Sequence, residues 1–207
     1  QLLRPNTNYN FFNPKAGVTY LLRNAAGQRQ KLYASFAVAN KEPNRDDFEA
    51  SPTKQPLAER LYDIEAGYEI NKKSWSIGAN LYYMMYRDQL VFTGQINDVG
   101  AYSRTNVPES YRAGIELQGA YLPTYWLKLN ANVTLSDNRI KKFTEYIDNW
   151  DDPNYAQVAV THNNTPIALS PSTIAGGGIT LAPFRYMKHD QLLELDIMGK
   201  FVGKQYL

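Results

Sequence analysis

Trp75-Ser76-Ile77-Gly78-Ala79-Asn80-Leu81-Tyr82-Tyr83-Met84-Met85 is the stretch on which the fold turns. Trp75, Ile77, Ala79, Leu81, Tyr83 and Met85 share one parity; Ser76, Gly78, Asn80, Tyr82 and Met84 share the other. An extended chain sends successive side chains to opposite faces, so this segment is a strand with one greasy and one wetter side. The same reading holds upstream, where Tyr62, Ile64, Ala66, Tyr68 and Ile70 alternate with Leu61, Asp63, Glu65, Gly67 and Glu69. It holds downstream in 111–118, 127–135 and 193–201, and charges are nearly confined to the second parity throughout.

Working outward, the alternation predicts strands near 11–22, 30–39, 60–71, 74–92, 111–122, 125–136, 172–182 and 191–205. Short connections fall at 23–29, 71–74, 122–125 and 183–190, where Asn, Gly and Pro supply turn chemistry. Long ones fall at 40–59, 93–110 and 137–171, so short and long alternate. An antiparallel sheet with one solvated face accounts for the parity alone. The sorting of loop length by end favours an all-β, antiparallel up-and-down meander that forms part of a large transmembrane β-barrel, because lipid leaves no backbone hydrogen bond unpaired.

Composition agrees. No apolar run is long enough for a transmembrane helix, which leaves barrel strands open as a way across. Tyr, at 16 of 207 residues, outnumbers Phe and Trp, which suits an interface where rings meet lipid and water. A net charge of +2 argues against a nucleic-acid partner. Without Cys there is no disulfide, thiolate metal site or thiol nucleophile. Ser, Asp and His are too scattered for a catalytic triad, so no enzyme activity and no cofactor are expected.

The segments also resemble, in order, the strands of TonB-dependent outer-membrane receptors. Leu32 to Pro43 resembles a family strand that runs into a Pro-bearing extracellular loop. Leu57-Ala58-Glu59-Arg60-Leu61-Tyr62-Asp63-Ile64-Glu65-Ala66-Gly67-Tyr68 resembles the next, with Ala58 in place of the usual Pro. Ala79 to Leu90, then Asn106 with Tyr111-Arg112-Ala113-Gly114-Ile115-Glu116-Leu117, then Trp126 to Ser136, resemble those that follow. Ile96-Asn97-Asp98-Val99-Gly100 and Phe143-Thr144-Glu145-Tyr146 resemble receptors of the Bacteroidetes type. The resemblance implies a location in the outer membrane of a Gram-negative bacterium, with lipid around the wall. It implies TonB-coupled uptake of a scarce small-molecule or metal-chelate ligand such as a ferric siderophore, with the receptor's own plug domain and TonB as partners. Residues 1–207 then read as a partial barrel, lacking plug and closing strands. A soluble β-sandwich carbohydrate-binding module and a plug-less outer-membrane pore are the rival readings.

Candidate sites follow from placement. Asp63, Glu65, Arg112 and Glu116 share the wet parity and would face the lumen, where the resemblance implies plug contact. Arg45, Asp46, Trp150 and Asp151 lie in long connections and are the ligand candidates at the mouth, although solvated or locally paired loop charge is the simpler account of them. The acidic run 148–153 lacks EF-hand spacing, so no metal site is expected there. His162 and His189 fall in different connections. Gly176-Gly177-Gly178 carries no phosphate-loop Lys and reads as a bend or close backbone approach.

Overall fold

A computed structural model describes residues 8–22, 28–50, 55–96, 102–151, 153, 156–184 and 193–206. Nine strands are found among them: β1 (Lys15–Leu22), β2 (Gln28–Lys41), β3 (Glu59–Lys72), β4 (Trp75–Ile96), β5 (Tyr102–Thr124), β6 (Leu127–Ile147), β7 (Val158–Pro166), β8 (Thr173–Leu181) and β9 (Leu195–Val202). One short helix, α1 (Arg45–Ala50), lies between β2 and β3. All nine strands join a single antiparallel sheet, not a sandwich. The edges β1 and β9 do not pair with each other, as expected for a piece of wider wall.

The eight expected strands all appear, and the differences lie at one end. The segments 93–110 and 137–171 were expected to be connections, yet most of each is strand. β4 runs on to Ile96 and β5 begins at Tyr102. β6 runs to Ile147 and returns as the unexpected β7. The reason is that alternation marks a strand only where its two faces meet different surroundings. In Asp137-Asn138-Arg139-Ile140-Lys141-Lys142 both parities carry charge, yet the ladder continues. α1 was missed as well. Its sequence signal is a reciprocal cap: the Asn44 N–H donates to Asp47 Oδ2 at 2.8 Å, and the Asp47 N–H donates to Asn44 Oδ1 at 2.9 Å.

β7 and β8 share one neighbour. β7 takes the distal half of β6 and β8 the proximal half. Arg139 to Leu135 is four steps on β6, whereas their partners Pro166 and Thr173 are seven apart, so three extra residues are inserted. The insert is closed by Ile167 N–H to Asn138 O (3.1 Å) and Ser136 N–H to Ser172 O (2.8 Å), with Leu169 at φ 55° making the turn. β7 and β8 are thus one interrupted strand, and the sheet has eight columns.

The two faces are exposed the wrong way round for a soluble sheet. Ile64, Ile77 and Leu81 are 45%, 54% and 57% exposed, while Asp63, Glu65, Asn80 and Tyr82 on the other face are only partly so. An apolar face this open needs a non-aqueous covering. Its height suits a bilayer. From Trp75 to Arg87, the first charge on that face of β4, is about 40 Å of strand, or about 28 Å along the normal at a tilt of about 45°. Trp75 stands opposite Tyr121 at the short-turn end, with the Lys72 ammonium 4.9 Å over its ring. Tyr83 and Tyr111 stack at 6.0 Å at the other end.

On the polar face, tyrosines lie across glycines of the neighbouring strand. Tyr33 covers Gly67 and Tyr82 covers Gly114, each pair directly opposite in register. A Cβ on Gly114 would sit 2.5 Å from both Tyr82 Oη and the backbone oxygen of Leu135. Gly176 and Gly178 likewise admit the Asn132 and Asn130 amides, so the glycine run of β8 serves close approach.

Two outcomes test this arrangement in the full-length protein by urea titration of folded fraction. Ile64→Arg should cost about 2–4 kcal/mol where the site is near the midplane, and Asn80→Arg distinctly less. Equal losses would mean that the apolar face does not meet lipid. Gly114→Ala should be disruptive, since a strand backbone cannot yield as a side chain can.

Candidate functional site

Two regions gather polar chemistry. The first is the middle of the polar face. Alternation puts Asp63, Glu65 and Glu69 of β3 on it, with Tyr82, Met84 and Asn80 of β4 and Arg112 and Glu116 of β5. Asp63, Met84 and Arg112 form one row across three strands; Gly67, Asn80 and Glu116 form another. Glu69 is paired with Lys31 at 3.1 Å. Asp63 Oδ1 and Asn80 Oδ1 are shielded and lack a hydrogen-bond partner among the described residues, which leaves acceptors in want of donors. A shallow cavity of ≈ 230 Å³ between Tyr33, Glu69, Asn80, Glu116 and Asn132 opens on the same face. Arg112 is engaged elsewhere: its Nη1 donates to Ser170 Oγ at 2.8 Å and its guanidinium lies 5.9 Å from the Tyr86 ring. It therefore ties the 167–172 insert to the sheet.

The second region lies beyond the apolar band. There the extensions of β4–β5 and the β6–β7 hairpin meet. Val107, Ile140 and Ile167 are buried between them, with Val91 and Phe143 packed alongside. Next to this cluster is a cavity of ≈ 560 Å³, lined among others by Phe92, Arg104, Arg112, Glu145, His162 and Tyr206. His162 Nε2 is 2.9 Å from Glu145 Oε2, and its ring stacks on Phe143 at 6.5 Å. Tyr206 is brought in by the Leu169 N–H donating to its carbonyl at 2.9 Å.

Two anchors hold the surroundings. Asp47 of α1 is 3% exposed and receives a hydrogen bond from Arg104 Nε at 2.7 Å, which docks the helix on β5. The Asn106 side chain accepts from the Leu57 N–H (2.8 Å) and donates to Leu57 O (3.0 Å) and Asp88 O (2.6 Å). Asp88 has φ 54° inside β4, so Asn106 stabilises a left-handed residue as well as the start of β3. Beyond the band, Lys141 donates to Glu109 at 2.6 Å and holds that carboxyl below its ordinary range, with Arg87 adding to the effect.

The four ligand candidates are less concentrated. Arg45 and Asp46 are exposed on α1, Trp150 is 79% exposed, and Asp151 is exposed in the β6–β7 connection. They line neither of these two cavities. His189 and Asp152 lie outside the described residues. Sequence reasoning missed the 560 Å³ cavity because its lining comes from four strands, the insert after β7 and a tail, with no spacing in common.

A family model described as TonB dependent receptor-like, beta-barrel matches residues 3–206. The chain belongs to this family. Similar solved structures include one described as copper transporter OprC, at 18% identity and TM-score 0.59 over 82% of this chain and 24% of that one. Another is the FrpB iron transporter from Neisseria meningitidis (F3-3 variant), at 17% identity and TM-score 0.56 over 92% and 26%. At such identities the likeness is one of fold, and this chain spans about a quarter of either relative. No curated protein matches it. In this segment of the TonB-dependent receptor-like barrel family, the strand extensions, the β6–β7 hairpin and α1 all lie at the same end of the sheet.

Asp47→Asn should loosen α1 from β5 by about 2–3 kcal/mol, because a shielded guanidinium loses its charged acceptor. Hydrogen exchange should then quicken at residues 45–48 and stay unchanged in β3. Uniform quickening would place the effect on the whole sheet instead.

Proposed function

We propose that this chain is a wall segment of an outer-membrane receptor that takes up a scarce ligand by TonB-coupled transport in a Gram-negative bacterium, with a ferric siderophore as the candidate cargo. The observation that carries the reading is the open apolar face of bilayer height on a family-matched antiparallel sheet. The polar face is then the lumen wall. Its shielded acceptors on Asp63 and Asn80, without a partner among the described residues and beside Glu65 and Glu116, suit donors from the receptor's own plug domain. The barrel does no covalent chemistry in this reading; TonB acts through the plug.

The cavity between the distal hairpins supports the choice of cargo. Arg112 offers a cationic group, and Phe92, Phe143 and Tyr206 offer rings, which together suit an anionic, aromatic-bearing chelate; Arg104 is already held by Asp47. The two similar structures are named as metal transporters, which favours a metal-containing cargo. Arg45, Asp46, Trp150 and Asp151 remain candidates for first capture outside the cavity. A plug-less pore is the rival that the full-length gene would decide.

The topology can be tested on intact cells. Cysteines at Leu57 and Trp150 of the full-length receptor should react with an impermeant thiol reagent, and cysteines at Lys73 and Thr124 should stay protected. Mixed labelling across the two pairs would reject it. Deleting the gene should abolish growth on the cognate ferric chelate, and Arg112→Ala should raise the ligand concentration for half-maximal uptake about tenfold, the usual worth of a charged hydrogen bond. Uptake that survives deletion would reject the transport reading.

A further inference from the structure

The distal cavity carries a carboxylate, which works against an anionic cargo. Glu145 of β6 and His162 of β7 both line it. They are diagonal neighbours on the β6–β7 ladder: His162 stands opposite Phe143, and Glu145 opposite Val160. The imidazole is stacked on the Phe143 ring at 6.5 Å, and its Nε2 lies 2.9 Å from Glu145 Oε2. An ionised carboxylate only accepts, so Nε2 carries a proton and donates. The neutral imidazole and the imidazolium make that bond alike. The pair therefore keeps its geometry while its charge changes by one, and imidazole is the side-chain type that ordinarily changes charge between about pH 5 and about pH 8.

Arg, Lys and Asp side chains ordinarily keep their charges over that range. On β5, Arg104 is held by Asp47 of α1 at 2.7 Å, and Arg112 donates to the Ser170 hydroxyl at 2.8 Å. On β6, Lys141 is paired with Glu109 and Lys142 is exposed; neither lines the cavity. The tail brings Tyr206, with the Lys204 ammonium 4.8 Å over its ring. The stretch of β4 that lines the cavity, 89–92, has no titratable side chain, and His162 is the one titratable residue of β7. With a neutral imidazole, Glu145 thus presents an uncancelled negative charge to whatever fills the cavity. With a protonated one the pair is neutral, and Arg112 sets the sign. The His162 and Glu145 side chains are 41% and 44% exposed, so a ligand in the cavity can meet both.

We propose that Glu145 and His162 are the specificity-determining pair of this cavity: protonation of His162 cancels the Glu145 carboxylate and admits an anionic metal chelate, so that binding this cargo takes up a proton. The inference rests on the reading that the cavity takes an anionic chelate. The proton passes from solvent to His162 Nδ1, since Nε2 is already protonated toward Glu145, and no bond of the chelate changes. At higher pH the same cavity discriminates against anions.

The test uses the full-length receptor in non-ionic detergent and two probes, a hexadentate ferric tricatecholate, which is anionic, and a ferric trihydroxamate of no net charge. Fluorescence titration gives Kd for each at about pH 8 and about pH 6, either side of the ordinary imidazole range. The ratio of the two Kd values cancels effects of pH on the receptor as a whole. In the wild type the preference for the anionic probe should grow about fivefold toward the lower pH. Uptake of one full proton would give about tenfold per pH unit, and half-exposure of the pair reduces it. His162→Gln should hold the ratio at its high-pH value throughout. Glu145→Gln should act in the opposite sense, binding the anionic probe at the higher pH as well as wild type does at the lower. A packing role would make both variants lose affinity at every pH. An unchanged ratio in wild type, a ratio that still varies in His162→Gln, or weaker anion binding in Glu145→Gln would overturn the proposal. Calorimetry of the wild type in buffers of different ionisation heat needs no variant: proton uptake should accompany the anionic probe and not the neutral one, and equal uptake with both would count against the pair. Binding of both probes with a ratio insensitive to pH rejects this pair alone; binding of neither rejects the cargo reading and the pair with it.

Discussion

Hydrocarbon offers no partner to a backbone N–H or C=O, so every such group in the wall must be satisfied by a neighbouring strand. The strand-to-strand pairing from β1 to β6, continued through β8 to β9, meets that demand, with register shifts only toward the strand ends at Phe92/Ile96 and Tyr121/Thr124. Much else follows from it. Continuous pairing holds each strand to a strict two-residue period, so Ile64, Tyr83 and Ala113 line up on one face while Asp63, Met84 and Arg112 line up on the other. Backbones locked at ladder spacing also leave tyrosines little room except over glycine, as at Tyr33 on Gly67 and Tyr82 on Gly114.

Beyond the apolar band water can satisfy the backbone, and the architecture loosens accordingly. β4 and β5 part from the regular wall near Asp88, β6 exchanges β8 for β7, and three residues are inserted opposite Asp137. There a small core of Val107, Ile140 and Ile167 buries apolar surface between the elements themselves. The distal cavity is bounded by this core. Its charged lining is therefore held by elements that hang together through packing and through single polar anchors, Asp47–Arg104 and Asn106–Leu57. Binding surfaces on such scaffolds vary readily without disturbing the wall.

The parity of charge had consequences at both ends of the argument. It assigned Asp63, Glu65, Arg112 and Glu116 to one face before any coordinates, and they are there. It was silent on what they touch: Arg112 reaches Ser170, 58 residues away, through an insert that no periodicity announces. The loop candidates Arg45, Asp46, Trp150 and Asp151 were chosen by residue type, and residue type does not say which connections converge. His162 and Glu145 meet only because β7 pairs with β6, a strand that the sequence hid among charged residues.

The amino-acid sequence by itself determined that the chain is a meander of eight two-faced columns, which residues share a face, and where the tight turns at 71–74 and 122–125 fall; the expected turns at 23–29 and 183–190 lie largely outside the described residues. These are local quantities: a strand's period and a turn's residue types are written in a few adjacent positions. Only the tertiary structure decided how far the strands run beyond the membrane, where the capped helix docks, and which side chains enclose the distal cavity. Beyond the apolar band the burial is local and charges sit on both parities, so the alternation that betrays a strand disappears and contacts between distant segments choose the arrangement.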